Sequence, residues 1–166
     1  HNGALVRGLV LELARRRDVA LATWIDRHVT FPSTMVDRIV PRTTDADRDQ
    51  ISAALGVRDA WPVVAEPFID WVLEDRFAAG RPEWPGVRYV ATQEDVAAWE
   101  RLKLRMVNGA HSALAYLGVM AGWATVDAAM AQPALRGFID QLLRDEIAPT
   151  LRGVEVPQGY RERLLQ

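Results

Sequence analysis

A mainly α-helical domain with a small accessory β-sheet is the fold class this sequence predicts. Apolar residues recur at helical spacing towards both ends of the chain, and capping residues stand where those stripes begin. Three short runs in between carry a strand signal, and prolines or glycines border them. With 166 residues, 49% apolar and 25% charged, the chain can bury the core of one domain.

The elements follow in order. Leu5, Leu9, Leu11, Leu13 and Ala14 give an imperfect stripe that predicts a helix from Ala4 to about Arg17. Asp18 is placed to cap a second helix from Val19 to His28. Phe31 and Pro32 end it, and Met35 to Val40 reads as a short strand stopped by Pro41. Thr43 or Thr44 opens a charged helix that includes Ile51 and Leu55 and stops at Gly56. Pro62 and Pro67 bracket an irregular stretch. Phe68 to Glu74 is then read as a strand, with Phe68, Asp70, Val72 and Glu74 alternating against Ile69, Trp71 and Leu73. A loop containing Gly80, Pro82, Pro85 and Gly86 leads to a third strand, Val87 to Val90.

Helices dominate the remainder. Thr92, with Asp95 three residues on, predicts a capped helix through Val96, Trp99, Leu102 and Met106 to about Leu117, with Gly109 as its weak point. Gly118 to Met130 forms the next element and Pro133 to Ile147 another, ended by Pro149; Tyr160 to Leu165 begins the last. Gly118 and Gly122 read as small residues that let helices approach closely, and the six tryptophans as core or domain-interface packing.

Composition narrows the function. The formal charge is -2 and the 19 arginines are scattered, which argues against a nucleic-acid surface. There is no cysteine, no apolar run of the roughly 18 residues needed to cross a bilayer, and no signal-peptide pattern. A soluble cytoplasmic protein is expected. His1, His28 and His111 have no close-spaced partner, so neither a zinc-finger nor an HExxH site is available and no metal is expected. No GxGxxG follows a strand, so no dinucleotide-binding residue can be named.

The best chemical constellation is Lys103, Asn108 and His111 in KLRMVNGAH. Lys103 is the single lysine against those 19 arginines. On an α-helix Asn108 lies about 140° round from Lys103, and His111 about 80° from Lys103 and about 60° from Asn108. All three can address one side, with Lys103 and His111 about 12 Å apart along the axis. A desolvated lysine can serve as general base, an asparagine amide can donate to an oxygen gaining charge, and a histidine can orient either. The same residues fit a solvent-facing lysine, a helix-ending Asn-Gly pair and a core histidine, and spacing does not choose. Asp37 and Arg38 sit within an apolar strand, where charge is costly unless it pairs or faces a cleft; Glu66, Glu74 and Asp75 are less specific candidates.

Taken together, NGALVRG, FPSTMVDRIVP, DAWPVVAEPFIDWVLEDRFAAGRP, YVATQEDVAAWERLKLRMVNGAHSALAYLGVMAG and DEIAPTL resemble the long-chain mannitol dehydrogenase family. That family also contains fructuronate and tagaturonate reductases and arabinitol dehydrogenases. The resemblance implies a two-domain oxidoreductase with an N-terminal Rossmann domain. Residues 1–166 would be its helical C-terminal domain, 6-phosphogluconate dehydrogenase C-terminal-like, truncated at both ends and lacking the Rossmann domain. His1, Asn2 and Gly3 directly before a helix, and Gln166 inside another, read as unnatural termini.

The family's KxxxxNxxH element falls on Lys103, Asn108 and His111. By resemblance, Lys103 exchanges the alcohol proton, Asn108 polarises the reacting oxygen and His111 holds a neighbouring hydroxyl. The aspartate of the family's FPNSMVDRI segment falls on Asp37, a substrate-cleft residue, with Arg38 beside it. The implied activity is an NAD- or NADP-dependent polyol 2-dehydrogenase of the mannitol and fructose kind in a full-length parent, with the cofactor held mainly by the missing domain and the fragment alone inactive. A hexuronate reductase of the same family and a non-catalytic helical interaction domain are the alternatives. The expected partners are a small polyol, ketose or sugar acid and the missing domain, without nucleic acid or membrane.

Overall fold

A computed structural model describes residues 2–38, 40–65, 69–151, 153–154 and 156–165. The expected strand residues Ile39 and Phe68, with Glu66, Pro67, His1 and Gln166, lie outside the described residues. The remainder is mainly helical with one three-stranded sheet, as its caps and apolar spacing predict.

Helices α1 (Asn2–Arg17) and α2 (Val19–His28) form an antiparallel pair. The reversal is sharp because Asp18 caps α2, its carboxylate accepting from the Ala20 N–H at 2.8 Å. An Arg7–Asp26 ion pair ties the two helices together. Helix α3 (Asp45–Leu55) starts at Thr44, whose side chain and that of Asp47 form a reciprocal capping box, and stops at Gly56, where φ is 71°. Thr43 serves elsewhere, donating to the Pro62 carbonyl at 2.9 Å.

The sheet has the order β1-β2-β3, with β1 Thr34–Asp37, β2 Asp70–Glu74 and β3 Val87–Val90. Strand β1 is shorter than its apolar run, because the antiparallel ladder to β2 closes at the pair Asp37 and Asp70 and leaves Arg38 beyond the strand. Strands β2 and β3 are parallel, and residues 75–86 supply the long connection that such a pair requires. On one face Met35 and Val72 pack with Val96 of the next helix into a small core. On the other, Trp71 donates to the Thr34 hydroxyl at 2.6 Å and stacks on Trp84. The outer edge of β1 is engaged as well: the Asn2 amide donates to the Thr34 carbonyl at 2.8 Å and accepts from its N–H at 3.0 Å.

Thr92 and Asp95 form the expected capping box at the start of α4 (Gln93–Leu102). The long helix beyond departs from expectation. Residues Lys103–Asn108 form a π-helical turn, and α5 (Gly109–Met120) continues without a stop at Gly109, whose φ of -63° is helical. Gly118 thus lies inside α5 rather than opening a new element, and α6 is only Val126–Met130. A Cβ on Gly118 would stand 3.1 Å from that of Ala129, so close approach of α5 and α6 is its role. Gly122 instead has open space around it and a φ of 86°, so it serves the turn after α5.

Helix α7 (Pro133–Gln141) passes into a second π-helical segment, Leu142–Ile147, and a 3₁₀ turn, Ala148–Thr150. Helix α8 (Tyr160–Leu164) closes the helical body. Leu102, Met106, Ile139 and Leu143 are fully buried at its centre, each contributing about 1.5–3 kcal/mol by leaving water. The tryptophans divide: Trp24, Trp61, Trp84 and Trp123 are exposed, Trp71 is half-buried at the sheet, and Trp99 is half-buried and packs against both the small core and the helical one. Among the described residues no helix is long and apolar enough to cross a membrane.

Candidate active site

The ladder between β1 and β2 sends Met35 and Asp37 to the same side, so the apolar residue that fixes the strand against α4 also aims the carboxylate inwards. Helix α4 runs over that face and its continuation carries Lys103 to the end of β1. Lys103 Nζ lies 3.4 Å from Asp37 Oδ1. The pair is sheltered, with side-chain exposures of 23% and 10%, which strengthens the attraction relative to a surface pair.

A cavity of about 290 Å³ opens there, lined by Asp37, Arg38, Lys103, Val107, Asn108, His111 and Ser112. All five candidate site residues of the sequence therefore line one cavity. The π-helical turn accounts for part of this. Its i→i+5 bonds, such as the Gly109 N–H to the Leu104 carbonyl, widen the turn and bring Asn108 closer in azimuth to Lys103 than an α-helix would. The helix-ending role for Asn108 and Gly109 is excluded by the helical backbone at both. The solvent-facing role for Lys103 is excluded by its pairing with Asp37.

The turn is held from outside. Arg105 donates to the Thr150 carbonyl at 2.6 Å, and a Cβ on Gly109 would meet Ile147 Cδ1 at 3.7 Å, so the two π-helical segments sit against each other.

The less specific carboxylates separate. Glu74 is buried and accepts from the Ser33 N–H at 2.9 Å, with Arg76 3.6 Å away, a structural role. Asp75 pairs at the surface with Arg81. The sequence reading missed Asp70 and Tyr160. Asp70 stands opposite Asp37 in the ladder, and burial first and the Asp37 charge second push its carboxyl above the usual range. Tyr160 is buried near both, and burial first, then the charges of Asp70 and Asp37, push its phenol up to about 12. No spacing rule joins residues 37, 70 and 160; strand register pairs the first two, and the start of α8 brings Tyr160 to the same cavity. Among the described residues no group of three or more histidine, cysteine or carboxylate side chains could hold a metal ion.

Two family models match the chain: the mannitol dehydrogenase Rossmann domain over residues 1–86 and the mannitol dehydrogenase C-terminal domain over residues 95–165. Their junction falls at β3, within the stretch read above as one domain. Mannitol 2-dehydrogenase of Aspergillus terreus is 43% identical over 170 residues, matching 99% of this chain and 34% of its own length. D-mannonate oxidoreductase of Escherichia coli is 46% identical over 160 residues, matching 95% of this chain and 32% of its own length. The solved structure of Pseudomonas fluorescens mannitol 2-dehydrogenase, a ternary complex with NAD and D-mannitol, superposes with a TM-score of 0.73 at 39% identity over 99% of this chain and 34% of that one. The chain thus spans about a third of the length of these relatives.

Proposed function

Because the chain belongs to the mannitol dehydrogenase family, we propose that it is the substrate-binding and proton-handling part of an NAD(P)-dependent polyol 2-dehydrogenase, with Lys103 as general base. The observation that carries this reading is the Lys103–Asp37 pair facing a cavity that Asn108 and His111 also line. In the oxidising direction Lys103 Nζ takes the proton of the reacting hydroxyl, and the Asp37 carboxylate stabilises the ammonium that results. Asn108 donates from its amide to the same oxygen as it becomes a carbonyl, and His111 orients the adjacent hydroxyl. In the reducing direction Lys103 returns the proton.

A nicotinamide accepts or supplies the hydride, chemistry that no side chain replaces. No GxGxxG turn follows a strand in this sequence. The Lys103 cavity, at about 290 Å³, suits a sugar, and at the N-terminus of α1 the Asn2 side chain is spent on Thr34. Residues 1–86 match the Rossmann-domain model and residues 95–165 the C-terminal one, so we assign the helical body from α4 onward to the 6-phosphogluconate dehydrogenase C-terminal kind, and most of the NAD or NADP site to the part of the relatives' length that this sequence does not cover, with the protein acting in the cytoplasm without a metal. Arg38 in the cavity, together with the likeness to D-mannonate oxidoreductase, favours a second reading, a sugar-acid substrate whose carboxylate the guanidinium would hold. The convergence of five candidate residues on one cavity weighs against a non-catalytic interaction domain.

The test is NADH and NADPH oxidation by the complete parental protein with fructose, fructuronate and tagaturonate, beside Lys103→Ala. Removal of the base is expected to lower kcat at least about a hundredfold. An alanine variant as active as the wild type would overturn the role of Lys103, and no turnover with the whole panel would overturn the reaction.

A further inference from the structure

A second cavity, about 770 Å³, adjoins the first and shares Asp37, Val107 and His111 with it. Much of its wall is apolar, including Met106, Leu114 and Ile139. Near Asp37, however, it gathers Asp70, Arg88, Tyr160 and Arg163. Directly opposed residues of an antiparallel pair project from one face with Cβ atoms roughly 5 Å apart, so the carboxylates of Asp37 and Asp70 are neighbours. Like charges at such a pair destabilise the sheet, and Asp70 is half-buried as well. Among the described residues none donates a hydrogen bond to it. The cations that line the same cavity are drawn to aromatic faces: Arg88 lies 4.3 Å from the Trp99 ring and Arg163 5.4 Å from that of Tyr160.

A carboxylate kept at this cost, without a donor and facing a cavity, is placed to receive one from a ligand. A sugar hydroxyl donates once and accepts as well, so an enclosed wall that reads it needs an acceptor and a donor side by side. Asp70 is such an acceptor, and the phenolic hydroxyl of Tyr160, buried beside it and neutral at physiological pH, is such a donor. We propose that Asp70 and Tyr160 form a distal subsite that reads a substrate hydroxyl beyond the reacting carbon, Asp70 accepting its proton in a hydrogen bond and Tyr160 donating to its oxygen. The inference rests on the polyol reading given above. A substrate seated at Lys103 and passing Asp37 reaches this subsite only if its carbon chain is long enough, which makes Asp70 and Tyr160 determinants of chain length.

The experiment compares mannitol with erythritol on the complete parental protein and its Asp70→Asn and Tyr160→Phe variants. Ligand protection against thermal unfolding reads binding without turnover, and oxidation rates are followed in parallel. Loss of one hydrogen bond to a charged group is expected to weaken mannitol about tenfold and erythritol by less than about twofold. Unchanged mannitol affinity in both variants, or equal weakening of the two polyols, would overturn the subsite. If Asp70→Asn does not fold, as its melt without ligand shows, Tyr160→Phe decides on the same criterion. Asp70-dependent mannitol protection in a protein that oxidises no polyol would overturn the reaction and leave the subsite standing. Normal turnover with variants that bind mannitol like the wild type would do the reverse. A wild type neither protected by mannitol nor active on it would overturn both.

Discussion

Asp70 carries a cost to the fold that its neighbours only partly offset. Burial and the Asp37 charge raise its carboxyl, while Arg88 and Arg163 lower it by less. A group whose folded pKa lies above its unfolded value favours the fold while protonated, and that contribution is lost as pH rises through the folded value. Asp70→Asn, which cannot ionise, is therefore expected to melt higher than the wild type at neutral pH. The difference should close as pH falls towards the ordinary carboxylate value of 3.8. Melting curves across that range check it; a variant equally destabilised at every pH would contradict it. Lys103, Asn108 and His111 were legible in the sequence because they lie within nine residues of one helical path, and Asp37 because a charge inside an apolar strand is conspicuous. Asp70 was not, because its alternation with Val72 and Glu74 gives its face but not the strand it opposes.

An i→i+5 turn changes which side chains share a side, and the KLRMVN segment shows how little of that the sequence announces. Three caps were legible because their chemistry is local, Asp18, Thr44 and Thr92 each bonding a backbone N–H two or three residues on, whereas Thr125, which caps α6 in the same way, was hidden inside the run read as one element from Gly118 to Met130. The π-helical turn instead meets residues far along the chain, through the clasp from Arg105 to the Thr150 carbonyl and through Ile147 against Gly109. Arg105→Ala in the parental enzyme is expected to lower kcat about tenfold by letting Lys103 and Asn108 drift, while folding loses only about 1 kcal/mol because the bond is exposed. Steady-state kinetics beside a urea melt measures both, with partial recovery expected in Arg105→Lys. Unaltered kcat would mean that the turn holds without the clasp.

At the scale of the molecule, two cores coexist: a small one between sheet and α4, and a large one within the helical body. The Lys103 cavity lies where α4 leaves the first for the second. The mainly helical class with its three strands was legible from periodicity and punctuation, whereas the exposure of Trp24, Trp61, Trp84 and Trp123 was not, since composition does not say against what a tryptophan packs. On the proposed function this chain by itself is expected to hold no nicotinamide in reach of a substrate at Lys103. Absorbance assays with polyol and either cofactor should register no turnover, and normal turnover would refute that division of labour. The bonds between Asn2 and Thr34 reach further than the placement of α1. Sheets end in strands whose free N–H and C=O groups invite a second chain to extend them. One asparagine amide here gives Thr34 the donor and acceptor that a neighbouring strand would, so the first rung of that ladder is already taken and a second molecule has less to build on.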